Sequence, residues 1–133
     1  MIQGNKNQVL SDKKSIVITE DLAKRLFGTT ENIVGKTVEW QHKKQYQVSG
    51  VLQDLPALSS VKFDFILTFE AFKEDNDWAL NWFNTAPQTF VLLKEGTDIE
   101  QFNKKIADLV RTKTEGQANH RTPFIARYSD AYL

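Results

Sequence analysis

Cysteine is absent from this chain of 133 residues, and histidine occurs only twice. Without cysteine there is no disulfide bond, no thiolate zinc site and no thiol nucleophile. Lysine and arginine together number 17, as do aspartate and glutamate, so the formal net charge is zero. A neutral protein has no overall field that draws nucleic acid or an anionic membrane. The composition therefore predicts that nucleic acid is not a partner.

Long apolar stretches are also missing. The longest uninterrupted ones cover only a few residues, whereas a membrane-spanning helix needs roughly 20. The first eight residues lack the basic and then apolar regions of a signal peptide. We therefore expect a soluble chain, which is an excised piece if its parent is a membrane protein. The length suits one compact domain or two small lobes that share a core.

The residue types that usually carry catalysis are scattered. His42 falls in a predicted hairpin turn and His120 in a polar loop. Gly35–Thr37 has the last residues of a phosphate-binding loop, but the upstream glycine is missing and a strand follows. The acidic run at 74–77 lacks the glycine and the distal glutamate of a calcium loop. We predict no catalytic residue, no cofactor site and no metal site, and hence that the chain is not an enzyme.

The first half of the chain predicts a strand, a helix and a hairpin. Ser15–Thr19 is an apolar strand, and Thr19 is a good N-cap for the helix that follows. Gly28 stands where helices commonly end in a left-handed residue. Two strands then follow, at 36–41 and 46–52. The alternation of apolar and polar residues slips at Gly50, which predicts a bulge or a close backbone approach there.

The second half predicts further strands and one long helix. Alternation and β-branched or aromatic residues predict strands near 63–67, at 88–93 and at 124–128. Thr97 and Glu100 have the spacing of a capping box, and a helix is predicted over roughly 98–112. The fold class is therefore α+β, with two small mixed lobes. The second lobe is predicted to have a mainly antiparallel or mixed sheet.

Two tryptophans are candidates for a partner or ligand surface. Trp78 and Trp82 lie four residues apart in a stretch without clean periodicity. Such a pair can form a platform on which a sugar or a base stacks. The alternative is that both side chains fill a small core or the seam between two lobes. The sequence leaves both interpretations open.

Several stretches, taken in order, resemble a known family. The run Leu10–Gly28 resembles the Leu-x-Asp-Pro-x-Ser-Ile-Val-(Ile/Leu)-(Ser/Thr)-Glu-x-x-Ala-x-(Lys/Arg)-x-Phe-Gly pattern of MacB-like periplasmic core domains, found in ABC transporter permeases of the MacB/FtsX type. Lys13 replaces the family's usual proline. The remaining matches follow in the family's order: Gly35–Thr37, Tyr46–Pro56, Val61–Phe65, Gln88–Leu93 and Tyr128–Leu133. The resemblance covers nearly the whole chain from residue 10.

The resemblance implies an organisation and a function. Residues 1–14 would be an irregular lead-in, 15–60 a strand–helix–hairpin lobe, and 61–133 a porter-like α/β lobe that is incomplete relative to the family. The chain would be a non-catalytic domain on the periplasmic side of the inner membrane, within an integral membrane protein. Its partners would be the permease's transmembrane helices, the ATPase subunit or domain, and a periplasmic adaptor or envelope protein. The domain would couple ATP-driven motion to those partners or to export.

Two other functions and one consequence are kept open. The chain could be a free-standing periplasmic binding module that uses Trp78 and Trp82 for a ligand, or a small enzyme that uses pairs of carboxylates. Because the resemblance leaves the second lobe without its early strand and helix, we also expect an uncovered strand edge. Such an edge invites pairing with another copy of the chain, that is, a homodimer.

Overall fold

The structure, a computed structural model, describes residues 1–84, 88–118 and 120–132. The chain packs into two compact units, Met1–Asn76 and Asp77–Leu133. A four-stranded sheet and several short helices make this an α+β protein, as the sequence predicts. The lobe boundary expected between residues 60 and 61 stays a prediction.

The first unit is a mixed sheet with two helices. The strands run in the order β2-β3-β1-β4, with β1 parallel to β3 and antiparallel to β4, while β2 pairs antiparallel with β3. The elements in chain order are β1 (Ser15–Thr19), α1 (Glu20–Phe27), β2 (Thr37–Trp40), β3 (Lys44–Leu52), β4 (Phe65–Leu67) and α2 (Phe69–Asp75). The central strands β1 and β3 carry most of the buried side chains.

Local signals set both ends of α1. The hydroxyl oxygen of Thr19 accepts a hydrogen bond from the backbone N–H of Leu22 at 3.3 Å, which satisfies one of the free donors at the helix start. Gly28 ends the helix at φ 72°, and its N–H donates to the carbonyl of Lys24 at 2.9 Å. The predicted N-cap and C-terminal glycine are both confirmed.

The predicted irregularity at Gly50 is also confirmed. Ile16 pairs with Val48 and Val17 with Gly50, so one extra residue of β3 is accommodated between them. A Cβ at Gly50 would lie 2.9 Å from a methyl group of Val9. Only a residue without a side chain lets the start of the chain pack so closely against β3.

Residues 1–14 form a strap that is anchored on β3. Val51 donates its N–H to the carbonyl of Gln3 at 3.0 Å, and Ile2 donates to the carbonyl of Val51 at 2.8 Å. The side-chain amide of Gln3 continues the attachment, because it accepts from the N–H of Ile33 at 3.1 Å and donates to the carbonyl of Thr30. The expected irregular lead-in is thus tied to the sheet by one isolated β-bridge.

One hydrophobic core lies between the sheet and the helices of the first unit. Its buried members come from β1, β3, α1, α2 and the loop before β2: Ile16, Ile18, Ala23, Ile33, Tyr46, Val48, Val51 and Ala71. In the described residues no buried side-chain nitrogen or oxygen lacks a hydrogen-bond partner. This interior is shielded from solvent and its polar groups are satisfied, as a stable domain requires.

The second unit departs from the sequence prediction. Its described residues contain α3 (Ile99–Ile106), α4 (Leu109–Lys113) and two 3-10 turns, Asp77–Leu80 and Tyr128–Tyr132, but no strand. The strands predicted at 88–93 and 124–128 are therefore wrong for this structure, because strands form only when a partner supplies the ladder.

The single long helix predicted over 98–112 is also wrong. At Asp108 the backbone, with φ −95° and ψ 5°, leaves the helical region and separates α3 from α4. The cap lies one residue later than predicted, since the Asp98 carboxylate accepts from the N–H groups of Glu100 and Gln101. Thr97 instead donates its hydroxyl to the carbonyl of Lys94 at 2.6 Å.

Candidate functional site

The two tryptophans singled out in the sequence lie on the surface of the second unit. Trp78 is 46% exposed and Trp82 is 43% exposed. They belong to a segment, residues 77–84, that begins with a 3-10 turn and that we call the tryptophan loop. Leu80 and Phe83 of the same loop are also exposed. The loop therefore presents apolar and aromatic surface to the solvent, and neither indole is buried in a core.

Hydrogen bonds hold the tryptophan loop in shape. The carbonyl of Trp78 accepts from the backbone N–H of Asn81 at 3.2 Å and from the side-chain amide of Asn84 at 2.6 Å. The side chain of Asn81 accepts from the N–H of Phe83 at 2.9 Å. Arg121 donates its guanidinium to the carbonyl of Trp82 at 3.1 Å. Because the loop is already held in shape, little conformational entropy would be lost when a ligand or partner binds to the two indoles.

A cleft of about 410 Å³ lies at the carboxyl ends of β1 and β3, where parallel strands often bind ligands. Its three carboxylates, those of Asp21, Asp54 and Asp64, already have partners within the chain. Asp54 accepts from the N–H of Asp21 at 2.8 Å, so a carboxylate of the chain itself occupies the start of α1. Arg25 bridges Asp21 at 2.9 Å and Asp64 at 3.1 Å. Its hydrogen bond with Asp64 is the main reason that the pKa of Arg25 is raised.

Two lysines and two acidic residues form an ion-pair cluster on the first unit. Lys13 meets Glu74 at 2.6 Å, and Lys44 meets Glu74 at 3.3 Å and Asp75 at 2.9 Å. The hydrogen bond that Lys13 donates lowers the pKa of Glu74. The same bond raises the pKa of Lys13, and the bond that Lys44 donates to Asp75 raises the pKa of Lys44. The cluster joins the strap, the β2–β3 hairpin and the end of α2. The contacts favour the charged forms of these side chains, so none of the shifted pKa values moves toward neutral pH, where a proton-transfer group would need it.

The remaining candidates from the sequence are placed at separate points. His42 lies at the hairpin tip, with Nδ1 at 3.0 Å from Glu39, and His120 is exposed in the second unit. The backbone N–H of Gly35 donates to Val48 at 2.7 Å, and the Lys36 ammonium lies 5.0 Å from the Phe27 ring centroid. The glycine and lysine of this stretch are thus committed to the fold and do not form a phosphate cradle.

No group of three or more metal-binding side chains occurs among the described residues. In that same part of the chain, no helix is long and apolar enough to cross a membrane. Sequence reasoning did not foresee the Gln3 attachment or the ion-pair cluster. Both join residues more than 25 positions apart, and no periodic pattern reports such contacts.

Comparison with known proteins adds the family. The sequence model of the MacB-like periplasmic core domain matches residues 1–109. Curated proteins yield no match. Among solved structures, the crystal structure of a domain assigned to a permease protein of Porphyromonas gingivalis aligns with a TM-score of 0.54 and 22% identity. The alignment covers 85% of this chain and 47% of that one, so this chain spans about half of that structure. At this identity the likeness concerns the fold.

Proposed function

Because this chain belongs to the family of MacB-like periplasmic core domains, we propose that it is a non-catalytic periplasmic domain of an ABC transporter permease. In this proposal a separate cytoplasmic subunit or domain hydrolyses ATP, and the permease's transmembrane helices connect that motor to the chain. The chain then transmits the motion to a periplasmic partner or to an exported substrate. The observation that carries the proposal is the family match over residues 1–109.

The physical character of the first unit supports this role. Its core is buried around β1 and β3, and ion pairs link Arg25 to Asp64 at the cleft and the lysines to the acidic residues in the ion-pair cluster. A body with such a core moves as a whole, because its packing resists gradual deformation. A domain that transmits force needs this stiffness and a contact surface, and it needs no proton-transfer group.

The periplasmic placement can be tested by cysteine labelling in a permease whose cysteines outside this chain have been replaced, since the chain itself has none. In the full-length permease, Leu58→Cys places a thiol on a fully exposed side chain. We expect a membrane-impermeant maleimide to label it in intact spheroplasts. Ala23→Cys, at a fully buried position, is the matched control and should react only after unfolding. Labelling of Leu58→Cys only after the inner membrane is permeabilised would contradict the placement.

The coupling can be tested by distance measurement in the reconstituted permease. One spin label is attached at Leu58→Cys and a second in a transmembrane helix. We expect the distance distribution to differ between the ATP-bound and ATP-free transporter, and to stay fixed when the ATPase cannot bind nucleotide. A distribution that ignores ATP in a complex that hydrolyses it would contradict the proposed transmission of motion.

The exposed tryptophans support a second candidate, a ligand-binding module. Both indoles are nearly half exposed on a hydrogen-bonded loop, so either could stack on a flat ligand. The probe is a neutral oligosaccharide, titrated while tryptophan fluorescence is recorded. Saturable quenching that is lost in Trp78→Phe and Trp82→Phe but kept in Trp40→Phe would support this function. A linear, unsaturated response would exclude it for this class of ligand.

A further inference from the structure

The second unit exposes an unusual amount of apolar side chain. Among its described residues, Ala118 is the only buried hydrophobic one. The exposure is greatest in the segment 88–93, where Phe90 is 69% exposed, Val91 is 54% exposed and Leu92 is fully exposed. A contiguous apolar stretch of this kind is a candidate for contact with another polypeptide.

The composition of segment 88–93 is that of a strand that pairs with itself. It reads Gln-Thr-Phe-Val-Leu-Leu, with no charge, no proline and no glycine. Short uncharged segments of high β-propensity pair readily with identical segments, because no like charges are brought together. Alternate side chains would point to opposite faces, with Phe90 and Leu92 on one of them.

The backbone of segment 88–93 is free to pair. In the described residues, none of its N–H or carbonyl groups bonds to another backbone group, and it belongs to no strand. The other predicted strand of this unit is different. Both the N–H and the carbonyl of Ile125 are bonded to the side-chain amide of Asn103, at 2.7 and 3.2 Å. Segment 88–93 is therefore the better template for strand addition.

We propose that two copies of this chain associate by antiparallel pairing of segment 88–93 with itself. A twofold axis at Val91 sets Val91 of one copy opposite Val91 of the other and Phe90 opposite Leu92, so that β-branched and aromatic side chains pair with apolar partners on the same face. Thr89 then faces Leu93, and every residue from Thr89 to Leu93 faces an uncharged residue. The zero net charge of the chain adds no long-range repulsion between the copies.

Sedimentation of the 133-residue protein over a range of concentrations tests the pairing. The wild-type chain is expected to reach a dimer at high micromolar concentration. Val91→Lys places two like charges beside the twofold axis and should raise the dissociation constant at least tenfold. Leu58→Lys, at a fully exposed position of the first unit, should leave it unchanged. A wild-type chain that stays monomeric, or a Val91→Lys variant that dimerises as well as wild type, would overturn the proposal.

The register is tested by oxidative cross-linking of mixed single-cysteine variants. A mixture of Phe90→Cys and Leu92→Cys is expected to give the heterodisulfide, since directly opposed residues have the Cα separation that a disulfide needs. A mixture of Leu58→Cys and Leu92→Cys is the control and should not cross-link. Equal cross-linking of both mixtures would refute this pairing. The function proposed above would stand in that case, because it does not depend on a dimer.

Discussion

Gly4 and Ser49 lie in such close contact that a Cβ on Gly4 would overlap the carbonyl oxygen of Ser49. Gly4 also has a φ of 92°, which favours glycine. The strap thus reaches β3 at a point where both steric space and backbone conformation require a residue without a side chain. Gly50 on β3 is similarly crowded, because a Cβ there would meet Val9 and the carbonyl oxygen of Gln3, both in the strap.

Gly4→Ala should therefore destabilise the first unit by two separate effects. Gly35→Ala is a matched control, because Gly35 has a φ of 94° and no atom within 4 Å of its missing Cβ. The left-handed conformation alone costs about 1–2 kcal/mol in either variant. The overlap with Ser49 should add about 1–3 kcal/mol in Gly4→Ala. Urea unfolding followed by circular dichroism measures the difference in the free energy of unfolding. An equal decrease in both variants would show that the strap can shift away from Ser49 at little energetic cost.

The cap of α1 gives a second prediction. Thr19→Val keeps the shape of this buried side chain but removes the acceptor for the Leu22 N–H. We expect the free energy of unfolding to fall by about 1 kcal/mol. Thr19→Ser retains the hydroxyl and should lose less. If Thr19→Val unfolds at the wild-type urea concentration and Thr19→Ser does not, the methyl group and not the hydrogen bond is what matters.

These local features were within reach of the sequence, because each depends on neighbours a few positions apart. Thr19 and Gly28 bound α1 through bonds to residues within one helical turn. The slip at Gly50 showed as a break in alternation along a single strand. Such signals act before any tertiary contact forms, so they can be read from one sequence.

Apart from the cap at Asp98 and the helix break at Asp108, the misses are non-local. Residues 88–93 have strand composition, yet no partner strand lies beside them in the described part of the chain. The parallel pairing of β1 with β3 joins segments separated by α1 and β2, and composition does not specify it. The Lys44 contacts with Glu74 and Asp75 likewise depend on where α2 docks. Patterns along the chain identify elements, and the fold decides which elements meet.

The ion-pair cluster predicts a dependence of stability on pH. The pKa of Glu74 is lowered below its ordinary value of 4.5 in the folded protein, so its contribution is present above that value and is lost as the pH falls through the folded pKa. The pKa values of Lys13 and Lys44 are raised above 10.5, so their contribution is present below that value and is lost as the pH rises through the folded pKa. The cluster is therefore effective across the neutral range.

Glu74→Gln tests this dependence. At pH 7 the variant should melt below wild type, and the gap should shrink as the pH falls through the lowered pKa of Glu74, because Glu74 of the wild type then becomes protonated. Because the cluster is exposed, the gap should also shrink in about 1 M salt. Glu31→Gln is the control, since Glu31 makes no ion pair in the described residues. A gap that stays the same as the pH is lowered until the wild type itself begins to unfold would remove the electrostatic explanation.

Two neighbouring residues, Ile33 and Val34, give a final prediction about how the loop before β2 is held. Ile33 is fully buried in the core although it belongs to no helix or strand, whereas Val34 is largely exposed. Ile33→Ala removes three buried carbons beside the strap and should cost about 2–5 kcal/mol. Val34→Ala should change the free energy of unfolding by less than about 0.5 kcal/mol.

The same pair of variants separates two accounts of the strap. The backbone N–H of residue 33 donates a hydrogen bond to the side-chain oxygen of Gln3. If Ile33 anchors the loop, Ile33→Ala should also speed hydrogen exchange at this N–H, and Gln3→Ala should speed it too. If the strap is held only by its bridge to Val51, exchange at the Val51 N–H should be as slow in Ile33→Ala as in wild type while the loop exchanges freely. Joint loss of protection at Ile33 and Val51 would mean that the strap and the loop open as one unit, so that the packing of one isoleucine stabilises the attachment of the first residues of the chain to the sheet.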